Sequence, residues 1–421
     1  MSAGASFTTD PPRGAAVAAT GAFDAPIDEA GVAAALRAAH DAAEPVLVRG
    51  AGTKLGMLRP VQAARTLSTT GLTGITLYSP QELVLSARAG TPIAELEAAV
   101  AAKGQQITAE PPDFSALLGS TGAQTLGGVV AANLSGPRRV AWGAMRDHVL
   151  GLRAVNGMGE VIRSGGRVLK NVTGLDLAKL LTGSHGTLGV ITEVTFKVLP
   201  VAEQRATLLL PGLDPVRGVA ALSAALGSPY GISAAAYLPA GMAARIPALA
   251  GIGQPVALVR LEDFASFVAY RSERLRSDLA EFGAAEMLDD ATTRAVWTAV
   301  RDATPLVAEP GAIWRVSVRP SQGPRVAAVL ERMFGARWFL DWGGGLVWVS
   351  GPATAAAHQA VVTAVQEAGG TWTLLRAPEA LRTAVEVIPP EPPALAAIAR
   401  RVKAAFDPKG ILNPGRMRAG F

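Results

Sequence analysis

The chain has 421 residues, 49% of them hydrophobic and 17% charged, which indicates a folded globular protein with about two or three domains. The absence of cysteine excludes disulfides, thiolate-bound iron–sulfur clusters, a cysteine-linked flavin and a cysteine nucleophile, and it suits a reducing cytoplasm. A net charge of +5 is modest at this length, and the scattered basic residues do not favour nucleic-acid binding. Asp10 precedes Arg13 and the nearby apolar run is short, so no secretory signal is predicted.

The stretch "PVLVRGAGTKLG" is an apolar strand that runs into a glycine-rich turn. It fits neither common phosphate loop. Gly50 and Gly56 are one residue too far apart for G-x-x-x-x-G-K-[ST], and Leu55 replaces the third glycine of G-x-G-x-x-G. The glycines still let backbone N–H groups curve around an anion, with Arg49 and Lys54 beside them. The alternative is a strand-to-helix turn without a ligand.

Two strands and a helix are predicted next. "GITLYSP" and "LVLSARAG" read as strands, and "TPIAELEAAVAAKG" reads as a helix with Thr91 as N-cap, Pro92 in the first turn and Gly104 at its end. The uncharged run 114–137 carries too many glycines and polar side chains for a membrane span. We interpret it as a buried or ligand-lining segment.

The stretch "HVLGLRAVNGMGEVIRSGG" predicts a β-hairpin around Asn156 and Gly157. "GLDLAKLLTGSHG" predicts a short helix, and the alternation in "LGVITEVTFKVLP" predicts a strand. The residues expected on the buried face of that strand are Val190, Thr192, Val194, Phe196 and Val198.

The pattern changes over residues 205–375. Strand-like runs "TLLL", "ISAAAYL", "PVALVRLE", "IWRVSVRP", "RWFLDW" and "LVWVSG" alternate with helical runs near 263–282, 323–334 and 354–368. This alternation predicts a separate α+β domain, an antiparallel sheet backed by helices. A helix over 392–406 then leads into the irregular tail "DPKGILNPGRM".

Several of these motifs, in this order, resemble the FAD-binding family of vanillyl-alcohol oxidase and p-cresol methylhydroxylase. They are "RGAGTK", "TLGGVVAANLSGPRRVAWG", "GSHGTLGVIT" and the closing "FDPKGILNPGRM". The resemblance implies an α+β protein whose residues 1–200 form two subdomains with FAD between them. Residues 201–385 would be an antiparallel-sheet cap for substrate or partner, and residues 386–421 would return to the flavin.

The resemblance also implies which residues bind FAD. The FAD diphosphate would lie on the backbone amides of Arg49, Gly50, Ala51, Gly52, Thr53 and Lys54. The flavin and its phosphates would be approached by Thr125, Gly127, Gly128, Ala131, Ser135 and Gly136. The adenine and ribose side would meet Gly186, Thr187 and Ile191, and the isoalloxazine would meet Asn413. The alternatives are a helix start packed on a strand for the second group and a plain Asn-Pro turn for the last residue.

The sequence departs from the family pattern in two places. Thr53, Lys54 and Leu55 stand where some relatives carry a flavin-linking histidine, so FAD is predicted to be non-covalent. "DWGGGLVWVSG", with Trp342 and Trp348, lacks the histidines with which some relatives bind a metal, and no metal is predicted. An arginine would then have to hold a substrate carboxylate, and the sequence singles out none. His185 receives no role, and no catalytic residue is identified.

Within the family, "LSGPRR" and "DWGGGLVW" resemble the FAD-binding subunits of bacterial glycolate oxidase complexes. This implies an FAD-dependent oxidoreductase acting on CH–OH groups, in a complex that converts glycolate to glyoxylate. A sister FAD subunit would remove the hydride, and an iron–sulfur subunit would pass electrons to the membrane quinone pool. The chain would be cytoplasmic, and its partners would hold it peripherally at the inner membrane. The alternatives are a stand-alone FAD oxidoreductase for a 2-hydroxy acid, alcohol or sugar, and a non-catalytic assembly protein.

Overall fold

A computed structural model describes residues 22–166 and 175–420. The prediction about a secretory signal concerns residues 1–21, which lie outside the described residues. The described strands are β1 (Ala22–Asp24), β2 (Val46–Arg49), β3 (Arg65–Ser68), β4 (Ile75–Ser79), β5 (Val84–Arg88), β6 (Gln105–Gln106), β7 (Val149–Val155), β8 (Val161–Gly165), β9 (Val190–Lys197), β10 (Leu199–Pro200), β11 (Gln204–Pro211), β12 (Ile232–Leu238), β13 (Val256–Asp263), β14 (Glu286–Leu288), β15 (Ala312–Ser317), β16 (Arg337–Asp341), β17 (Leu346–Gly351) and β18 (Thr371–Arg376).

The described α-helices are α1 (Glu29–Ala42), α2 (Ile93–Ala101), α3 (Ser115–Leu118), α4 (Leu126–Ala131), α5 (Arg139–Trp142), α6 (Met145–His148), α7 (Leu177–Leu181), α8 (Pro215–Leu226), α9 (Ala240–Ala243), α10 (Ala265–Asp278), α11 (Asp290–Arg301), α12 (Gly323–Phe334), α13 (Ala355–Glu367), α14 (Glu379–Ala384) and α15 (Pro393–Phe406). Short 3₁₀ turns lie at Pro247–Leu249, Ala280–Phe282, Thr304–Leu306, Pro320–Gln322 and Trp342–Gly344.

The first part of the described chain builds two main sheets. One is parallel, in the order β1-β3-β2, and the other is antiparallel, in the order β4-β5-β9-β7-β8. The predicted strands are confirmed, including β9, whose alternate residues from Val190 to Val198 are buried. The hairpin is confirmed too, but its turn is longer than Asn156-Gly157. The Asn156 side chain accepts hydrogen bonds from the N–H groups of Met158 and Glu160, and the chain reverses at Gly159 with φ +77°.

The helix predicted after β5 is confirmed as α2, but its predicted cap is wrong. Pro92 occupies the N-cap position and makes no side-chain cap. The Thr91 hydroxyl donates to Arg88 O at 2.7 Å and accepts from Gly74 N at 3.0 Å instead. Thr91 is fully buried, and its hydroxyl joins the end of β5 to the residue before β4 rather than beginning the helix.

The second part is an antiparallel sheet in the order β14-β11-β13-β12-β16-β17-β15-β18. The strands predicted for this region are confirmed, and α10, α12 and α13 correspond to the predicted helices. The sequence reading missed α8, α11, β14 and β18. The sheet strands are buried along nearly their whole length because helices cover them, for example β12, with every residue buried. The predicted α+β class is confirmed.

The C-terminal tail returns to the first part of the chain. After α15, Ile411 and Leu412 enter the small core formed by Val32, Leu36 and Val46. Val46 N donates to Ile411 O at 2.7 Å, and the N–H of Asn413 donates back to Val46 O at 3.0 Å. The tail thus adds to β2, the strand that leads into the glycine-rich turn.

Buried ion pairs fix the large sheet against the first part. Arg138 binds Glu262 through two hydrogen bonds of 2.9 and 2.6 Å, and Arg260 binds Glu110 through two of 2.9 and 3.0 Å. Arg205 adds a further contact to Glu262 at 3.1 Å. Burial alone would raise the pKa of Glu262, but the charges and hydrogen bonds of Arg260 and Arg138 outweigh burial, so the pKa lies below its usual value. Glu262 and Glu110 are therefore charged, and buried pairs of opposite charge hold the interface together.

Candidate functional site

Three segments that are far apart in the sequence meet at one cleft of about 750 Å³, part of it open to solvent. The segments are the turn after β2, the start of α4 and the loop before β9, and the tail closes one end. Most of the predicted cofactor residues line the cleft: Arg49, Gly50, Ala51, Gly52, Thr53, Lys54, Thr125, Gly127, Gly128, Ala131, Gly186, Ile191 and Asn413.

The close approach of these segments requires glycine. A Cβ on Gly50 would lie 2.3 Å from Thr125 Oγ1, and one on Gly127 would lie 2.8 Å from the Ala89 Cβ. Gly52 has φ +82°, in the region that side chains disfavour. The turn therefore packs closely on the N-cap residue of α4, and α4 packs closely on the residue that follows β5.

The lining of the cleft is cationic. Arg49, Lys54 and Arg416 contribute to it, and no carboxylate does so among the residues that the structure describes. The Lys54 amine has only neutral partners, Thr53 Oγ1 at 3.2 Å and Gln124 Oε1 at 3.3 Å. Burial lowers the pKa of Lys54 to about 8, against a smaller opposing effect of Asp113. Such a site stabilises a bound anion.

Arg49 shows the same need for a ligand. Its Nε is buried and has no hydrogen-bond partner among the described residues. A buried donor without a partner is costly, so an acceptor is expected here. The bare glycine backbone, the unpaired Nε and the uncompensated lysine together fit a diphosphate, which offers many acceptor oxygens and negative charge.

Two titratable residues of the cleft, Arg416 and His185, were not assigned a role from the sequence. Arg416 donates to the backbone oxygens of Lys54 at 2.6 Å and Arg59 at 2.8 Å, so it ties the tail to the glycine turn. Burial, with a contribution from Arg382, lowers the pKa of Arg416 to about 9. His185 is held neutral, since burial and the nearby charges of Arg416 and Lys54 lower its pKa to about 3. The motif "NPGRM" could have pointed to Arg416, but nothing in the sequence marked His185.

Asn413 lines the cleft, but protein groups use its side-chain amide. Oδ1 accepts from Val48 N at 2.8 Å, and Nδ2 donates to His185 O at 2.8 Å and Val48 O at 3.3 Å. A Cβ on Gly186, which has φ +73°, would lie 2.8 Å from this Nδ2. The hydrogen bonds of the Asn413 side chain therefore connect the tail to β2 and to the loop before β9.

Three other predicted residues do not line the cleft. Ser135 Oγ accepts from Met145 N at 2.8 Å. Gly136 lies against the large sheet, where its carbonyl accepts from Trp342 Nε1 at 3.2 Å. The Thr187 hydroxyl donates to Ser184 O at 2.7 Å. Their contact with a cofactor stays a prediction.

The chain is similar to known proteins. A model of the "FAD binding domain" family matches residues 21–165, and a model of the "FAD linked oxidases, C-terminal domain" family matches residues 391–417. The glycolate oxidase subunit GlcE of Escherichia coli (strain K12) is 33% identical over 377 residues, which cover 89% of this chain and 93% of that protein. The chain belongs to the FAD-linked oxidase family. The family predicted from the sequence motifs is confirmed.

This member of the FAD-linked oxidase family is also similar to the glycolate oxidase subunit GlcD of Bacillus subtilis (strain 168), with 36% identity over 166 residues, 39% of this chain and 34% of that protein. A solved structure of 4-ethylphenol oxidase from Gulosibacter chungangensis superposes with a TM-score of 0.70 at 14% identity, covering 94% of this chain and 88% of that chain. The predicted fold is confirmed. The chain is an FAD-dependent oxidoreductase, and the cationic glycine cleft fits its cofactor.

The affinity of this oxidase for FAD is expected to fall as the pH rises above about 8. Without ligand, Lys54 has a pKa of about 8. A bound diphosphate stabilises the charged amine and raises that pKa, so binding is strongest below pH 8 and weakens as the free lysine loses its proton. The dissociation constant, measured by flavin fluorescence, should be about tenfold higher at pH 9 than at pH 7.

The variant Lys54→Arg is the matched control for this pH dependence. Arginine keeps its charge over the same range, so Lys54→Arg should bind FAD with an affinity that changes little between pH 7 and 9. An equally steep decline in the variant would assign the pH dependence to another group.

Proposed function

We propose that this chain is the FAD-binding subunit of a glycolate oxidase-type complex that oxidises glycolate to glyoxylate. The observation that carries the proposal is the similarity to the Escherichia coli glycolate oxidase subunit GlcE along 89% of the chain. The cationic cleft supports it, because an FAD-linked subunit needs a site for the cofactor diphosphate.

The proposal assigns residues 1–200 to FAD binding, residues 201–385 to a cap and residues 386–421 to the segment that closes the site. The sheets support these limits. β1 to β9 end at Lys197, and the strands of the large sheet run from Gln204 to Arg376. Arg416 and Asn413 both contact the glycine turn or its strand, as a closing segment would.

Bound FAD would supply a two-electron acceptor, through which electrons would pass to an iron–sulfur partner. The turn from Arg49 to Lys54 would hold the diphosphate through backbone N–H groups, the Arg49 Nε and the Lys54 amine. Gly127 and Gly128 would let the start of α4 approach the cofactor closely. Arg416 would keep the turn in place through its bonds to the carbonyl groups of Lys54 and Arg59.

The partners would be a sister FAD subunit, which would remove the hydride from glycolate, and an iron–sulfur subunit, which would pass the electrons to the membrane quinone pool. The similarity to a GlcD subunit as well as to a GlcE subunit supports a sister flavoprotein. The chain has no cysteine, so a thiolate-bound cluster would have to come from another subunit. Among the described residues, no helix combines the length and apolar character needed to cross a bilayer. Peripheral association with the inner membrane through the partners is part of the proposal.

FAD is proposed to be bound without a covalent link. The turn offers Thr53, Lys54 and Leu55 where some relatives carry a histidine, and no cysteine exists elsewhere in the chain. Acid precipitation of the purified protein should therefore leave the flavin in the supernatant. Flavin that stays with the polypeptide after precipitation would contradict this part of the proposal.

The function is tested by expressing the chain with and without its sister subunits and measuring glycolate oxidation with a dye acceptor. We expect glycolate turnover by the complex and loss of turnover when this chain is omitted. Full turnover by this chain alone would identify a stand-alone oxidoreductase. If the complex still oxidises glycolate when this chain cannot bind FAD, then this chain is an assembly protein.

A further inference from the structure

Three half-buried arginines have no side-chain hydrogen bond or ion pair among residues 22–166 and 175–420: Arg49, Arg139 and Arg315. Interior arginines elsewhere are engaged. Arg138 and Arg260 bind carboxylates, and Arg376 donates to backbone oxygens. Of their nitrogen atoms, only Arg49 Nε is fully buried without a partner, so Arg139 and Arg315 keep donors that solvent or a ligand can reach. Arg49 belongs to the FAD cleft, whereas Arg139 and Arg315 lie elsewhere.

Arg139 and Arg315 meet at the same tryptophan. Each guanidinium carbon lies 4.7 Å from the centroid of the Trp342 ring, so the two charges are at most twice that distance apart. They come from different parts of the chain. Arg139 is the first residue of α5, just after Gly136, while Arg315 lies in the middle of β15. The Trp342 ring holds both side chains by cation–π contact.

Two carboxylates, Asp341 and Asp147, act on this pair at a distance, but within the described part of the chain neither forms a hydrogen bond or ion pair with it. The nearby Asp341 is buried, its Oδ1 accepts from Trp342 N at 2.7 Å, and burial raises its pKa to about 7. Asp147, on the side of Arg139, accepts from Ala144 N. Burial and the charge of Arg139 lower the pKa of Arg315 to about 10. Two like charges that repel each other would both be stabilised by an anion that bridges them.

The pair also lies where the large sheet meets the first part of the chain. Trp342 Nε1 donates to Gly136 O at 3.2 Å, and Gly136 belongs to the segment that is proposed to continue from the flavin. This hydrogen bond joins Trp342, and with it the two arginines, to the first part of the chain. The other arginines at this junction, Arg138 and Arg260, are already paired with Glu262 and Glu110.

We propose that Arg139 and Arg315 bind the carboxylate of the 2-hydroxy acid substrate, with Trp342 holding both guanidinium groups in place. Guanidinium forks match the planar geometry of a carboxylate and can each donate two hydrogen bonds to it. The inference rests on the proposed function, and it goes beyond it by placing substrate binding on this chain. The sequence had favoured a sister subunit for the first oxidation and had singled out no arginine.

The experiment uses the FAD-loaded protein and oxalate, a dicarboxylate that is not a 2-hydroxy acid and so is not a substrate. Oxalate binding is followed by its effect on the flavin absorption spectrum. We expect Arg315→Gln and Arg139→Gln each to weaken oxalate binding about 10- to 100-fold, since each removes a charged hydrogen-bond donor. Arg315→Lys should lose less affinity than Arg315→Gln. The control Arg319→Gln, at an exposed arginine just beyond β15, should bind oxalate like the wild type.

Two further measurements distinguish substrate binding by these arginines from a purely structural role. FAD affinity and thermal midpoint should change little in Arg139→Gln, and with glycolate as substrate the KM should rise more than kcat falls. Wild-type affinity for oxalate in both glutamine variants would overturn the inference, even if glycolate still reduces the flavin. Arginine-dependent oxalate binding without flavin reduction by glycolate would sustain it while the proposed oxidation fails. If Arg315→Gln does not fold, Arg139→Gln alone decides.

Discussion

Gly128→Val is expected to lower the affinity for FAD about 100-fold while the protein stays folded. Gly128 lies in the first turn of α4, and a Cβ there would meet Thr125 Oγ1 at 3.3 Å and Lys54 Nζ at 3.8 Å, with nothing else within 4 Å. The valine methyl groups would therefore enter the cleft beside the lysine that is proposed to hold the diphosphate. Overfilling a packed site costs typically about 1–3 kcal/mol, which corresponds to roughly 5- to 150-fold in affinity.

The control is Gly241→Val in α9. A Cβ on this helical glycine would have no atom within 4 Å, so a valine meets open space far from the cleft. We expect FAD affinity to be unchanged in the control, measured by flavin fluorescence. The thermal midpoints without added FAD should agree between the two variants. Wild-type FAD affinity in Gly128→Val would show that the diphosphate does not lie between α4 and the glycine turn.

Lys403→Met is expected to lower the free energy of unfolding by about 3–5 kcal/mol, the usual cost of leaving one partner of a buried ion pair alone. The Lys403 amine donates to Asp407 Oδ2 at 2.7 Å, Thr187 O at 2.7 Å and Leu412 O at 3.0 Å. Asp407 is 1% exposed and also accepts from the N–H groups of Ile411 and Leu412. Methionine fills the space but leaves a buried carboxylate without its cation.

The loss is measured by urea unfolding of the FAD-free protein. In Lys403→Met/Asp407→Asn, part of the stability should return because the uncompensated charge is gone. Lys409→Met serves as the matched control, since this lysine is exposed and donates only to His40 O. We expect it to change the free energy of unfolding by at most about 0.5 kcal/mol. A loss below about 1 kcal/mol in Lys403→Met would contradict the role of Lys403 as the anchor of the tail.

The features that could be predicted from the sequence are those that depend on residues close together along the chain. The periodic burial of β9 and the limits of α12 follow from local patterns, because side-chain alternation and helix length are set within a few residues. The glycine turn was recognised for the same reason, since Gly50 and Gly52 follow an apolar strand directly. The ordered motifs then placed these pieces within a known family, which short-range patterns alone would not have done.

The sequence could not predict contacts between distant segments. Thr91 fits an N-cap by its position before Pro92, but in the fold its hydroxyl bonds to Gly74 and to Arg88 at the end of β5. Only the folded chain shows that Gly136 meets Trp342. The sequence contains many arginines, and folding pairs most of the interior ones with carboxylates or carbonyl groups. The unpaired state of Arg139 and Arg315 is therefore a property of the three-dimensional arrangement.

The central claim is that the glycine turn, the start of α4 and the loop before β9 together bind FAD. The most direct test is the visible absorption spectrum of the purified chain, before and after reconstitution with FAD and gel filtration. We expect a flavin spectrum at about one FAD per chain, with the flavin released by acid. A protein that carries no flavin and retains none after reconstitution, although folded, would contradict the claim.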